Sequence, residues 1–151
     1  MSKKYAFASE TITISGITLR RIQALRDFAG VRKGDLGGFI QKESNLSHYE
    51  NAWVFDEALV FENAHVCGDA LVGGRAIVRG YAQIYDDSIV IDEAEVSGEA
   101  VVHADSVINE NAKVGGYAVL GGVIVGRDAW ADSPKPPHHV PRKIWRRKEY
   151  K

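Results

Sequence analysis

Few side chains in this 151-residue chain are equipped for chemistry: five histidines and one cysteine, beside 20 carboxylates and 19 basic groups that leave a formal charge of −1. Cys67 has no evident base or helix N-terminus to lower its pKa, so it reads as a surface thiol and not a nucleophile. A lone cysteine also excludes an internal disulfide and a thiolate zinc site, and the chain reads as cytoplasmic. A three-histidine zinc centre needs ligands that converge. His48, His65 and His103 lack that spacing and His138-His139 sits among prolines, so no metal and no cofactor is expected. The cluster Gly34-Asp35-Leu36-Gly37-Gly38 lacks the Gly-Lys-Ser/Thr of a P-loop and the spacing of a dinucleotide fingerprint; it reads as a bend and not as a phosphate cradle. Arg142-Lys143-Ile144-Trp145-Arg146-Arg147-Lys148 sets two apolar residues among five cations. That composition suits phosphate contact and base stacking, or docking on acidic protein.

What positions these residues is a repeat. From Asn51 to Gly122 the chain divides without gaps into twelve blocks of six, beginning NAWVFD, EALVFE, NAHVCG. The second position is always Ala or Ser and the fourth always aliphatic. Positions two and four lie on one side of an extended strand, so they point inward while three and five point out. Positions six and one, rich in Gly, Asp, Asn and Glu, form the corner. Three sides close a triangular coil of 18 residues, and equivalent sides stack as parallel ladders. Twelve blocks make four coils, roughly 19 Å of solenoid at about 4.8 Å per coil. A β-sandwich is the competing all-β reading, but its loops vary in length. A 2, 4 pattern every six residues does not follow a helical period.

These blocks resemble the hexapeptide repeat of left-handed parallel β-helix proteins, a superfamily that includes trimeric acyltransferases and γ-class carbonic anhydrases. Handedness is implied by that resemblance alone. Leu19 to Leu25, Gly34 to Ile40, Asn45-Leu46-Ser47 and Trp53-Val54 also resemble the lead-in of YdcK-like proteins, common in phages and prophages and often labelled transferases by repeat similarity. The narrower likeness implies fold and ancestry and no established reaction. In the superfamily's acyltransferases a solvent-reachable histidine is the general base and coenzyme A lies between subunits. Under that reading His65 and His103 are the candidates, although the inserted acceptor loop is missing and neither has an obvious orienting carboxylate.

The fold class expected is therefore all-β: a left-handed parallel β-helix with an N-terminal hairpin-like cap over residues 1–44, a solenoid over 45–128 with regular blocks at 51–122, and an extended proline-rich basic tail over 129–151. Thr11 to Ile14 and Ile17 to Arg20 flank a Ser15-Gly16 hairpin turn. Leu19, Ile22 and Leu25 fit a helical turn equally well, so the middle of the lead-in stays open. His48 falls at an inward position of the first coil. After Gly122 the frame fails, and the last strand is expected to end there. All four prolines lie beyond it, in a stretch unable to supply ladder hydrogen bonds.

Charge follows this division. Residues 1–42 carry +5, residues 43–132 carry −12 and residues 133–151 carry +6. No apolar run approaches the roughly 18 residues of a membrane span, so no membrane partner is expected. One outer face carries Trp53, Phe55, Leu71, Ile89, Ile91 and Val107, an apolar stripe of the kind that marks a contact. A homo-oligomer is expected, a trimer as the resemblance implies, unless the lead-in or tail covers the stripe. The functional expectation is a non-catalytic scaffold or binding protein. The alternatives are an acetyl-coenzyme A-dependent acyltransferase and a protein that binds or mimics nucleic acid. The basic tail either docks on the acidic coils or meets a protein or nucleic-acid partner.

Overall fold

The structure, a computed structural model, describes residues 3–134. The cationic segment 142–148, His138-His139 and three of the four prolines lie outside the described residues. The lead-in is an antiparallel meander: β1 (Tyr5–Ile14), β2 (Ile17–Ala24) and β3 (Leu36–Ile40). Ser15 and Gly16 make the hairpin turn, both at positive φ. The alternative left open for the lead-in resolves as strand and not helix for Leu19 and Ile22, both buried in β2, while Leu25 lies in the bend just beyond the strand and is exposed. Leu19 and Ile22 face opposite sides of the strand and are buried in different clusters, Leu19 with Phe39 and Phe61 and Ile22 in the solenoid core, with a register shift between Arg21 and Gln23 beside them.

Beyond the short turn Glu43–Asn45 the chain coils. Three ladders of short parallel strands run along it. The first consists of β4 (Trp53–Val54), β7 (Leu71–Val72), β10 (Ile89–Val90), β13 (Val107–Ile108) and β16 (Ile124–Val125). The second stacks β5 (Leu59–Val60), β8 (Ile77–Val78), β11 (Glu95–Val96), β14 (Lys113–Val114) and β17 (Trp130–Ala131), and continues through β3 into the meander. The third holds β6 (His65–Val66), β9 (Gln83–Ile84), β12 (Val101–His103) and β15 (Val119–Gly121). Paired residues such as Trp53 and Leu71, or Leu71 and Ile89, are 18 apart. The chain is thus a parallel β-solenoid of about five turns.

The inward positions behave as their types dictate. The second and fourth residues of all twelve blocks are essentially inaccessible to solvent, and each buried Val contributes roughly 1.5–3 kcal/mol through lost apolar exposure. Position six is the corner, and in every block from Asp56 to Gly122 its φ is positive, between 54° and 72°. Glycine occupies half of these corners; Asp, Glu and one Ala take the rest. The acidic corners gain a compensating bond. The carboxylates of Asp56, Glu62, Asp86 and Asp92 accept the corner N–H of the next coil at 3.2, 2.9, 2.9 and 2.9 Å. Glu110 does the same for Arg127.

The ladder does not stop where the frame breaks. Val107 pairs with Ile124 and Lys113 with Trp130, offsets of 17. A single corner residue is missing after Gly122, so Val123, Val125, Ala129 and Ala131 fill the inward positions one place early. The expected end of the last strand near Gly122 is corrected by this slip: two more strands follow, to Ala131.

At the other end the lead-in closes the rod. Lys4 is fully buried and its Nζ donates to the carbonyls of Ala52 at 2.5 Å, Glu50 at 3.3 Å and Tyr49 at 3.5 Å, groups with no preceding coil to receive them. His48 turns toward this cap. Its Nδ1 accepts the Lys4 N–H at 3.1 Å, so Nε2 carries the proton toward Glu43 Oε1 at 2.9 Å, and the ring stacks on Tyr5. Arg21, nearly buried, ties the meander to the first coil through Glu10, Glu57 and the Gly37 carbonyl. Asn45 is satisfied on both ends of its amide, accepting from Gln41 and Lys42 and donating to Glu62 and Ala64 carbonyls.

Candidate functional site

The outward positions divide into three faces of different chemistry. On the face of the third ladder stand His65, Cys67, Gln83, Tyr85, Val101 and His103. His65 donates from Nδ1 to the Ser44 carbonyl at 2.7 Å. His103 stacks on Tyr85, with centroids 5.3 Å apart, and its Nδ1 lies 3.7 Å from Asp86 Oδ2. A carboxylate thus does stand in register with His103, which corrects the expectation that neither histidine has one; the block frame places Asp86 at the corner one coil below. Asp86 Oδ2 is already engaged by the Ala104 N–H, and the Cε1–Nε2 edge of the ring lies over Gly121. His65 and His103 stand two coils apart, roughly 10 Å along the axis, so the fold does not bring them together. The Cys67 thiol is pushed up by burial, then by Glu50 and Asp86, the opposite of an activated nucleophile. Among the described residues no group of three or more His, Cys, Asp or Glu has metal-binding geometry.

The face of the second ladder grades from apolar to charged. Leu59, Phe61 and Ile77 pack with Leu19 of β2 and Phe39 of β3. Further along, Glu95 bonds Arg79 at 2.8 Å and Lys113 at 3.2 Å, and these partners hold its carboxyl below the usual range although burial opposes them.

The face of the first ladder bears no charge. Its outward column at position three is Trp53, Leu71, Ile89, Val107 and Ile124; at position five, Phe55, Gly73, Ile91, Asn109 and Gly126. Trp53 is not available at the surface: Phe28 and Tyr5 of the lead-in cover it, with ring centroids 5.2 and 6.3 Å away, and only 3% is exposed. The lead-in thus buries the first residue of the stripe and leaves Phe55, Leu71, Ile89, Ile91 and Val107 half-buried. Ile124, reached only through the frame slip, extends the strip and is 56% exposed. The Phe55 ring folds over Gly73, where a Cβ would stand 2.4 Å from it. Near β4 the strip opens into a groove of about 410 Å3 lined by Val31, Leu36, Trp53, Phe55 and Leu71 among others, with Asp35 at its rim.

Acidic corners flank this strip on both sides. One carries Glu50, Asp69, Asp86, Asp87 and Asp105 without any cation. Here the Asp87 carboxyl is raised above its ordinary range by desolvation and by Asp105 and Asp69, one coil away on either side. The other corner carries Asp92, Glu93 and Glu110 among its acids, relieved by Arg75 and Arg127, with Arg75 3.7 Å from Glu93.

The fold and its surfaces define a β-solenoid protein with an apolar face that lies between acidic ridges. No protein-family model matches the chain, and no curated protein matches it in sequence. No helix of the described residues is long and apolar enough to cross a membrane.

Proposed function

We propose that this protein is a non-catalytic β-helix scaffold of the hexapeptide-repeat kind that assembles or binds through its uncharged face. The observation that carries this reading is the strip from Phe55 to Ile124. It runs almost the full length of the solenoid without a charged residue, while both bordering corners are acidic. Apolar surface left contiguous in water marks a contact, and identical chains usually satisfy such a contact by closed symmetry. A homo-oligomer, a trimer by the superfamily resemblance, is the simplest assembly. Light scattering on the intact chain at micromolar concentration tests it: a mass above one chain is expected, and a strictly monomeric mass overturns it.

An acetyl-coenzyme A-dependent acyltransferase is the second reading, and the approach of Asp86 to His103 favours it. Saturable acetyl transfer abolished by His103→Ala would establish that reading over the first. Against it, the Nε2 edge that would act as base lies over Gly121.

A further inference from the structure

The uncharged strip has a size and a border that fit a short basic segment better than they fit another protein surface. Five strands at about 4.8 Å spacing and four residues across give roughly 25 by 12 Å, about 300 Å2. A stable interface between two proteins buries about 800 Å2 from each, so this face supplies only part of the contact that an assembly of copies needs. Its borders also oppose that pairing. A second copy presenting the same face would bring Asp69, Asp87 and Asp105 toward another copy's acids, adding like charges to a column that already stacks them one coil apart.

A complementary occupant must be apolar at its centre and cationic at its edges. The chain contains one such segment: Ile144-Trp145 with Arg142 and Lys143 before it and Arg146, Arg147 and Lys148 after it. It lies in the 17 residues beyond the described fold. The Ser133 carbonyl accepts the Tyr117 N–H at 2.9 Å, which sets the departure of the chain at the corner opposite the strip. From Ser133 to Ile144 the chain spans at most about 36 Å, and one six-residue side of the triangle is about 20 Å. The segment therefore reaches across a neighbouring face to the strip of its own chain, and equally to that of an adjacent copy.

We infer that the segment Arg142–Lys148 docks on this strip, with Ile144 and Trp145 on the apolar column around Ile89 and Ile91 and the cations on the two acidic ridges. In an assembly the segment supplies the contact area and the counter-charge that the bare face lacks. This rests on the reading of the face as the assembly surface, but the two can fail separately.

Zero-length carbodiimide coupling of the intact protein, mapped by mass spectrometry, tests the docking. The Lys113–Glu95 and Lys3–Glu43 pairs, 3.2 and 3.0 Å apart, serve as internal controls. At about 20 mM salt, Lys143 or Lys148 should couple to Asp69, Asp87, Asp105 or the acids around Asp92, and the yield should fall about tenfold at about 0.5 M salt, where exposed charges are screened. Control links without any link from Lys143 or Lys148 to either ridge overturn the inference. A variant with Arg142, Lys143, Arg146, Arg147 and Lys148 all changed to Gln should have a smaller mass by light scattering than the wild-type protein. Wild-type assembly that persists in this variant, with no ridge links, refutes the docking and leaves the assembly reading intact. A monomeric wild-type protein with ridge links refutes assembly and leaves the docking intact. Copurified nucleic acid, seen as a raised 260/280 ratio, with no ridge links overturns the docking in favour of a nucleic-acid partner for the tail.

Discussion

Asp92 isolates the two opposed effects that shape every corner of this solenoid. Its φ is 61°, a region that costs an ordinary side chain about 1 kcal/mol or more relative to Gly. Its Oδ2 accepts the Glu110 N–H of the next coil at 2.9 Å, a bond that contributes about 1 kcal/mol at an exposed site. Asp92→Asn keeps both the tolerance of this conformation and an acceptor, so it should change stability by about 0.5 kcal/mol or less. Asp92→Gly loses the bond and regains conformational ease, for a net cost of about 0.5 kcal/mol. Asp92→Ala loses the bond and also the short polar side chain that eases this backbone for Asp, so about 0.5–1 kcal/mol of added strain joins the lost bond, for a cost of about 1.5–2 kcal/mol. In a chain of this length the Ala variant should melt about 3–8 °C below wild type. Differential scanning fluorimetry, with the Asn variant controlling for the removed charge, reads this order directly. Equal stability of the Ala and Gly variants would show that the corner φ carries no cost. An Ala variant as stable as wild type would show that the acid's bond to the next coil contributes nothing.

Three further outcomes are expected. Lys4→Met should lower stability by about 2 kcal/mol by leaving the rim carbonyls unpaired. Burial, then Arg26, lowers Lys4 to about 8 from 10.5, so the unfolded chain binds more protons between those values; wild-type stability relative to the Met variant should rise from pH 8 to 10.5 and fall back as pH drops through 8, measured by urea unfolding across that range. Gly37→Ala puts a methyl 2.5 Å from the Val54 carbonyl oxygen and 2.7 Å from Ile22 Cγ1, and should cost about 1–3 kcal/mol by overpacking, with thermal melting as the check. Ser88 Oγ is buried without a hydrogen-bond partner, whereas Ser106 Oγ donates near the His103 and Leu120 carbonyls and receives the Val123 N–H; Ser88→Ala should therefore stabilise by about 1 kcal/mol and Ser106→Ala should destabilise, so shifts of the same sign in chemical denaturation would contradict this account.

The coil itself was legible because only small and aliphatic residues fit its interior, and twelve repetitions leave no other period. Corner positions were legible as corners, but not that Asp56, Glu62 and Asp92 adopt the same left-handed backbone as Gly68 and Gly74. At these acidic corners it comes with a bond to the next coil, eighteen residues away, which no local pattern displays. The strands beyond Gly122 were missed because losing one residue inverts every inward and outward assignment after it. A signal existed in Asp128-Ala129-Trp130-Ala131-Asp132-Ser133, which restores the block pattern when read one place early. The capping roles of Lys4, Arg21 and Asn45 were not legible, since a lone Lys, Arg or Asn in sequence looks like surface. The apolar stripe was readable as a face, while the covering of Trp53 required knowing where Phe28 returns. Asp86 escaped notice beside His103 because corner and face residues meet only across coils.

The coil that is one residue short has a consequence for length. Every full coil offers the next one a corner in matching phase, so the internal blocks are interchangeable units that duplication could multiply. After Gly122 the phase is advanced by one residue on every remaining wall, and a Cβ placed there would find its nearest neighbour only at 3.7 Å. Yet Arg127 takes the next corner at φ 55°, and Asp128 to Ser133 falls back into the six-residue pattern and still pairs on the second wall. The rod therefore absorbs a lost corner residue and goes on stacking, so its length is counted in ladder partners and not in multiples of eighteen residues.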